Sequence, residues 1–164
     1  MDQTLLTLSS SIGSALLDRD FTISTAESCT GGLLSHVLTA VSGSSDYFLG
    51  GVVAYSNGIK EQVLGVRVET LQQHGAVSEQ TAQEMADGIR MRFGTDIGLA
   101  TTGVAGPTGG TPSKPVGLVW MGISFVGETK AFKGYFTGGR LEIMRSTVIE
   151  ILTCLLNQLN SPEQ

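Results

Sequence analysis

The sequence is poor in charge. Lys, Arg, Asp and Glu together supply 15% of its 164 residues, and the ten basic side chains form no run. Affinity for DNA or RNA rests on many Lys and Arg contacts to phosphate. With a net charge of −5 the chain is therefore a poor match for a nucleic-acid partner. A small anionic ligand stays open, because one or two cations or a helix N-terminus can hold it. Cysteine is as scarce: Cys29 and Cys154 are the only two, too few for a disulfide framework. Cys154 lies in an apolar helical stretch and reads as a small core residue. His36 and His74 are isolated, and no Cys, His or Asp grouping has the spacing of a zinc site. No metal and no cofactor are expected. Long apolar runs are missing too, none approaching the roughly 20 residues of a membrane span. Met1-Asp2-Gln3-Thr4 lacks the basic start of a signal peptide, so a cytoplasmic location without membrane contact is expected.

What the chain has in excess is glycine, 22 residues of 164, well above the usual level of about 7%. The excess is clustered, which marks built turns rather than a flexible linker. A hydrophobic share of 41% and a length suited to one core predict a single domain over 1–164.

Periodicity divides the chain into alternating elements. Leu5, Leu8, Ile12, Ala15 and Leu16 recur at helical spacing over 3–19. A strand is expected at 21–26, then a glycine turn and a helix near 30–41. Gly50 to Ser56 reads as a strand and Asn57 as the cap of a short helix through Leu64. A further short helix is expected at 68–73. Ser78 reads as the N-cap of a helix over 79–93. Strands are expected at 96–102, 116–126 and 129–136, the last two as a hairpin, with a helix from 140 to 159. The tail Ser161 to Gln164 is expected to fray. Helix–strand alternation followed by a hairpin predicts an α/β fold, a three-layer α/β/α sandwich around a mixed, mostly parallel sheet of about five strands.

The chemistry gathers at Thr25-Ala26-Glu27-Ser28-Cys29-Thr30-Gly31-Gly32, where a strand turns into a helix. Such a turn exposes backbone N–H groups and the positive end of a helix dipole. Ser28 there is either a nucleophile or a simple N-cap. Cys29 is a rival nucleophile, since a helix N-terminus lowers a thiol pKa, but neither histidine is evidently placed as its base. Lys60 is the leading base for Ser28: desolvation shifts a lysine pKa down, although a solvated helix lysine is the plainer reading. Tyr55 is a half-buried strand residue or a hydroxyl aimed at the site. Thr102-Gly103-Val104-Ala105-Gly106-Pro107 is a second glycine loop, able to bring backbone N–H groups to a ligand or to form a tight structural turn. Arg140 can grip a phosphate or lie free on the surface. In open α/β sheets ligands sit beyond the carboxyl ends of strands. Segments 25–32, 55–60 and 102–110 are expected to meet there.

Five motifs occur in order: Ala26-Glu27-Ser28-Cys29-Thr30-Gly31-Gly32, Tyr55-Ser56-Asn57 with Lys60, His74-Gly75-Ala76-Val77-Ser78, Thr102 to Gly110, and Lys114-Pro115-Val116-Gly117. Together they resemble the carboxy-terminal domain of the CinA (competence/damage-inducible) family over about residues 5–158. The amino-terminal molybdopterin-binding-like domain of longer members has no counterpart in this sequence. The resemblance implies a three-layer α/β/α fold and a homodimer. It also implies nicotinamide mononucleotide (NMN) amidohydrolase activity, which yields nicotinate mononucleotide and ammonia in pyridine nucleotide salvage. It assigns catalytic roles to Ser28, Lys60, Tyr55 and Thr102. Substrate contacts fall to Glu27, Cys29, Thr30, Gly31, Gly32, Gly103, Gly106 and Arg140, with Glu27 attracting the pyridinium cation. Val104 departs from the commoner isoleucine, and Gly139 precedes Arg140 where a polar residue is usual. A nucleotide-binding regulatory module on the same fold is the alternative.

Overall fold

Five strands form one sheet in the order β2-β1-β3-β4-β5. They are β1 (Ile23–Glu27), β2 (Phe48–Val53), β3 (Ile97–Gly103), β4 (Leu118–Phe125) and β5 (Glu128–Tyr135). The computed structural model describes residues 2–161. β1 pairs in parallel with β2 and β3, whereas β3–β4 and β4–β5 are antiparallel. Four strands thus point one way and β4 alone runs against them, the mixed and mostly parallel sheet expected.

Helices cover both faces. On one lie α1 (Gln3–Leu17), α2 (Leu33–Thr39) and α6 (Arg140–Asn160), packed through Leu5, Ile12, Leu34, Leu38, Ile151 and Leu155 against Ile23, Leu99 and Met121. On the other lie α3 (Asn57–Leu64), α4 (Val68–His74) and α5 (Glu79–Phe93), whose Met85, Ala86 and Ile89 meet Ala26 and Ala100. Strand residues alternate between faces, so Leu99 and Ala100 enter different cores. The α5 backbone lies directly on the sheet: a Cβ at Gly98 would fall 2.2 Å from the Ala86 carbonyl oxygen, and one at Gly122 2.4 Å from that of Ala82.

Several boundaries move from the sequence reading. β2 starts at Phe48 and ends at Val53, because the Tyr47 carbonyl already accepts from Ile23 N–H and the chain leaves the ladder after Ala54 N–H reaches Glu27 O. The α3 cap is Ser56, whose Oγ accepts from Ile59 N–H, rather than Asn57. α2 is shorter than expected, since residues 28–32 are spent on the turn before it. β4 begins only at Leu118, after Gly117 turns the chain at φ 95°. Ser78 caps α5 as expected. Ser161 ends α6, and the rest of the tail, 162–164, lies outside the described residues.

Parallel register brings three carboxyl ends level. Glu27, the last residue of β1, stands opposite Val53 on one side and Thr101 on the other. The residues just beyond, 28–32, 54–60 and 102–110, therefore crowd one end of the sheet.

Candidate active site

The candidate side chains are placed just beyond strand ends or on the helices that follow them. Ser28 follows β1 directly, its N–H donating to Thr101 O at 2.9 Å. Ala54 follows β2, and the chain then turns at Ser56 into α3, which carries Lys60 back toward the sheet. Lys60 is 1% exposed. Its Nζ donates to the Ala54 carbonyl at 2.8 Å and lies 3.0 Å from Ser28 Oγ. It forms no salt bridge among the described residues. Burial holds its pKa below the ordinary 10.5, the direction that favours a free amine.

Beside this pair opens a cleft of about 300 Å³, lined by Ser28, Cys29, Tyr55, Val77, the loop from Gly103 to Gly106, Thr108, Gly109 and Arg140. Among the described residues no acidic side chain lines it. Arg140, at the start of α6, donates to Gly106 O at 2.8 Å and to Tyr55 Oη at 2.6 Å. It spans the cleft mouth from the β3 loop to the end of β2. Tyr55 is 61% exposed and its hydroxyl faces Arg140. A second concavity, about 370 Å³ beside α3 and α5, contains Arg67, Glu84 and Asp87 but no Ser, Thr or Cys nucleophile.

The structure separates residues that the sequence grouped. Ser28, Cys29, Tyr55, Gly103, Gly106 and Arg140 do line one cleft, with Lys60 beneath it. Glu27 does not. It is fully buried, and its carboxylate accepts from Thr30 Oγ1, the N–H groups of Gly32, Leu34 and Ser35, and Ser35 Oγ. The positive end of α2 holds the protein's own anion, so Glu27 is turned away from any pyridinium ring. Thr30 is buried too, its hydroxyl shared between Glu27 and Thr101. Gly31 and Gly32 adopt φ 58° and 100°, conformations that favour glycine, and they shape the turn without lining the cleft. Thr102 donates to Ala76 O at 2.7 Å. It fastens the loop that carries Val77 into the cleft, instead of orienting base or amide. Cys29 is 6% exposed, and burial pushes its thiol up to about 12, with Glu27 adding to the rise. The expected activation at a helix N-terminus is thus reversed, because burial of the thiol outweighs it and the Glu27 charge adds to the rise.

Two N–H groups of the turn are committed: Gly31 donates to Ser28 O at 3.1 Å and Gly32 to Glu27. Those of Cys29 and Thr30 have no backbone acceptor among the described residues. Sequence reasoning missed Val77 as a wall and the Ala54 carbonyl as the second partner of Lys60. The first stands in a quoted motif without any chemical group to mark it. The second is a backbone atom, visible only once strand register is known.

The CinA C-terminal domain profile matches residues 5–159, a span that includes the Ser28 turn, Lys60 and Arg140. This chain belongs to the CinA C-terminal domain family. A CinA-like protein of Salinibacter ruber is 52% identical over 148 residues, 88% of this chain and 36% of that protein. Another, of Gemmatimonas aurantiaca, is 53% identical over 125 residues, 76% of this chain and 29% of that protein. The chain thus spans about a third of the length of these CinA relatives. Among solved structures, the competence damage-inducible protein A of Klebsiella pneumoniae superposes with a TM-score of 0.93 at 38% identity, covering 97% of this chain and 99% of that one. The competence/damage inducible protein of Agrobacterium tumefaciens gives 0.93 at 40% identity, with 98% of each chain covered. The three-layer fold is therefore that of the CinA C-terminal domain over nearly its whole length.

Proposed function

We propose that the protein is a serine–lysine amidohydrolase that converts NMN to nicotinate mononucleotide and ammonia. The observation that carries this reading is the 3.0 Å approach of Lys60 Nζ to Ser28 Oγ, in a position where the amine is buried. A buried amine held by one carbonyl, with no carboxylate paired to it among the described residues, has reason to be neutral. A neutral amine uses one N–H on Ala54 O and offers its lone pair to the Ser28 hydroxyl.

In this mechanism Ser28 Oγ attacks the carboxamide carbon while Lys60 takes the hydroxyl proton. The N–H groups of Cys29 and Thr30 receive the oxyanion, each donor worth about 3–4 kcal/mol in comparable sites. Lys60 returns the proton to the leaving nitrogen and ammonia departs. Water, deprotonated by Lys60, then cleaves the Ser28 ester to release the carboxylic acid. Arg140 and the glycine loop of 103–109 offer the phosphate a guanidinium and backbone donors. Tyr55 sets the guanidinium's direction. Supporting the assignment, the cleft of about 300 Å³ lies at the lower end of the volume range of small-molecule sites.

The test is incubation of the purified protein with NMN and EDTA, with ammonia measured over time. Steady release supports the hydrolase. NMN binding in a calorimeter without ammonia release supports the regulatory module instead.

A further inference from the structure

Building on the assignment of Ser28 as nucleophile, we propose that Glu27 is a positioning residue whose buried carboxylate holds the Ser28 turn in its reactive shape. A carboxylate is costly to bury without a cation. Glu27 is 0% exposed and has no salt bridge among the described residues. What compensates it is a set of five donors, all from residues 30–35: Thr30 Oγ1 at 2.7 Å, Gly32 N at 3.0 Å, Leu34 N at 3.0 Å, Ser35 N at 2.8 Å and Ser35 Oγ at 2.6 Å.

The placement of those donors gives the carboxylate a role beyond stability. Only Ser28 and Cys29 lie between Glu27 and Thr30 in the chain. The carboxylate thus closes a short ring around the nucleophile and a candidate oxyanion donor. Thr30 is in turn joined to Thr101 of β3 at 2.7 Å, and Ser28 N–H to Thr101 O at 2.9 Å. The turn is pinned to the central sheet at two points, and its remaining freedom is taken up by the carboxylate. Glu27 also consumes the N–H groups of Gly32, Leu34 and Ser35. A substrate anion finds no donors at α2 and is left to the Cys29 and Thr30 N–H groups or to Arg140. Glu27 does not line the cleft. It acts through Ser28 and the turn, never on substrate directly.

The experiment compares wild-type protein with Glu27→Gln and Thr30→Val in two assays. The first is the rate constant for labelling of Ser28 by a fluorophosphonate, located by peptide mass spectrometry. The second is kcat and KM for NMN. The amide of Glu27→Gln sets an NH2 against N–H donors, and Thr30→Val removes the link to Thr101. Both variants are expected to label tenfold or more slowly and to lose about as much in kcat, with KM within about twofold. A purely structural role lowers the fraction of molecules that label and leaves the rate constant of the folded fraction unchanged. Wild-type rate constants in folded Glu27→Gln overturn the proposal. Where that variant does not fold, wild-type rate constants in Thr30→Val do so. Labelling of wild type without NMN turnover removes NMN as substrate and leaves the positioning role intact. No labelling of Ser28 in wild type overturns the serine nucleophile, and the role of Glu27 with it.

Discussion

At the scale of single residues the account turns on one oxygen and one nitrogen. Ser28→Ala removes the proposed nucleophile, and kcat for NMN is expected to fall by about 10³-fold or more. Lys60→Met keeps the apolar stem and removes the proposed base, with an expected loss of about 10²–10⁴-fold. Burial holds the Lys60 pKa below 10.5, so the free amine forms at a lower pH than for a solvated lysine. The pH profile of kcat/KM should rise on an alkaline limb whose midpoint lies under 10.5, and Lys60→Met should lack that limb. Cys29 behaves oppositely. With its thiol pushed up to about 12, it stays protonated through the neutral range and contributes no thiolate. Iodoacetamide at neutral pH is expected to leave activity intact over a period that fully alkylates a free thiol in solution, read by mass and by ammonia release together.

At the scale of elements, the site is made by turns that follow strands. Thr102→Val deletes the hydroxyl bond to Ala76 O and leaves a part-buried carbonyl short of a donor. The expected cost is about 1 kcal/mol in denaturant unfolding, with KM raised because Val77 loses its support. The turns also show why the sequence was legible in part. Apolar patterning and turn signals together located the five strands and six helices of the described residues, most plainly where an element buries a continuous stripe, as β3 and α6 do. Ser28, Lys60 and Arg140 were legible because glycine loops and an ordered set of motifs frame them. Glu27 was misread as a substrate group. A carboxylate next to a nucleophile looks alike in sequence whether it faces the cleft or the helix behind it, and only the strand's side-chain alternation and the reach of α2 decide. Thr102 was misread for a related reason, since its acceptor, the Ala76 carbonyl, lies 26 residues away.

At the scale of the whole molecule, parallel register in β1, β2 and β3 is what converts three separate loops into one cleft. The same fold imposes a cost at Lys60 that depends on pH. Its folded pKa is lowered from 10.5, so between the two values the unfolded chain binds more protons than the folded one. Stability contributed by this group therefore rises with pH through that window, and below it the full desolvation cost remains. Denaturation midpoints of wild type relative to Lys60→Met should accordingly increase across that interval. Assembly belongs to the proposed account as well: sedimentation equilibrium is expected to give a homodimer, about twice the 17.2 kDa of one chain. The most direct measurement is ammonia release from NMN by wild type, Ser28→Ala and Lys60→Met in parallel, with folding verified for each. The account predicts turnover by wild type and near-background release by both variants. Undiminished release from folded Lys60→Met or Ser28→Ala would contradict it.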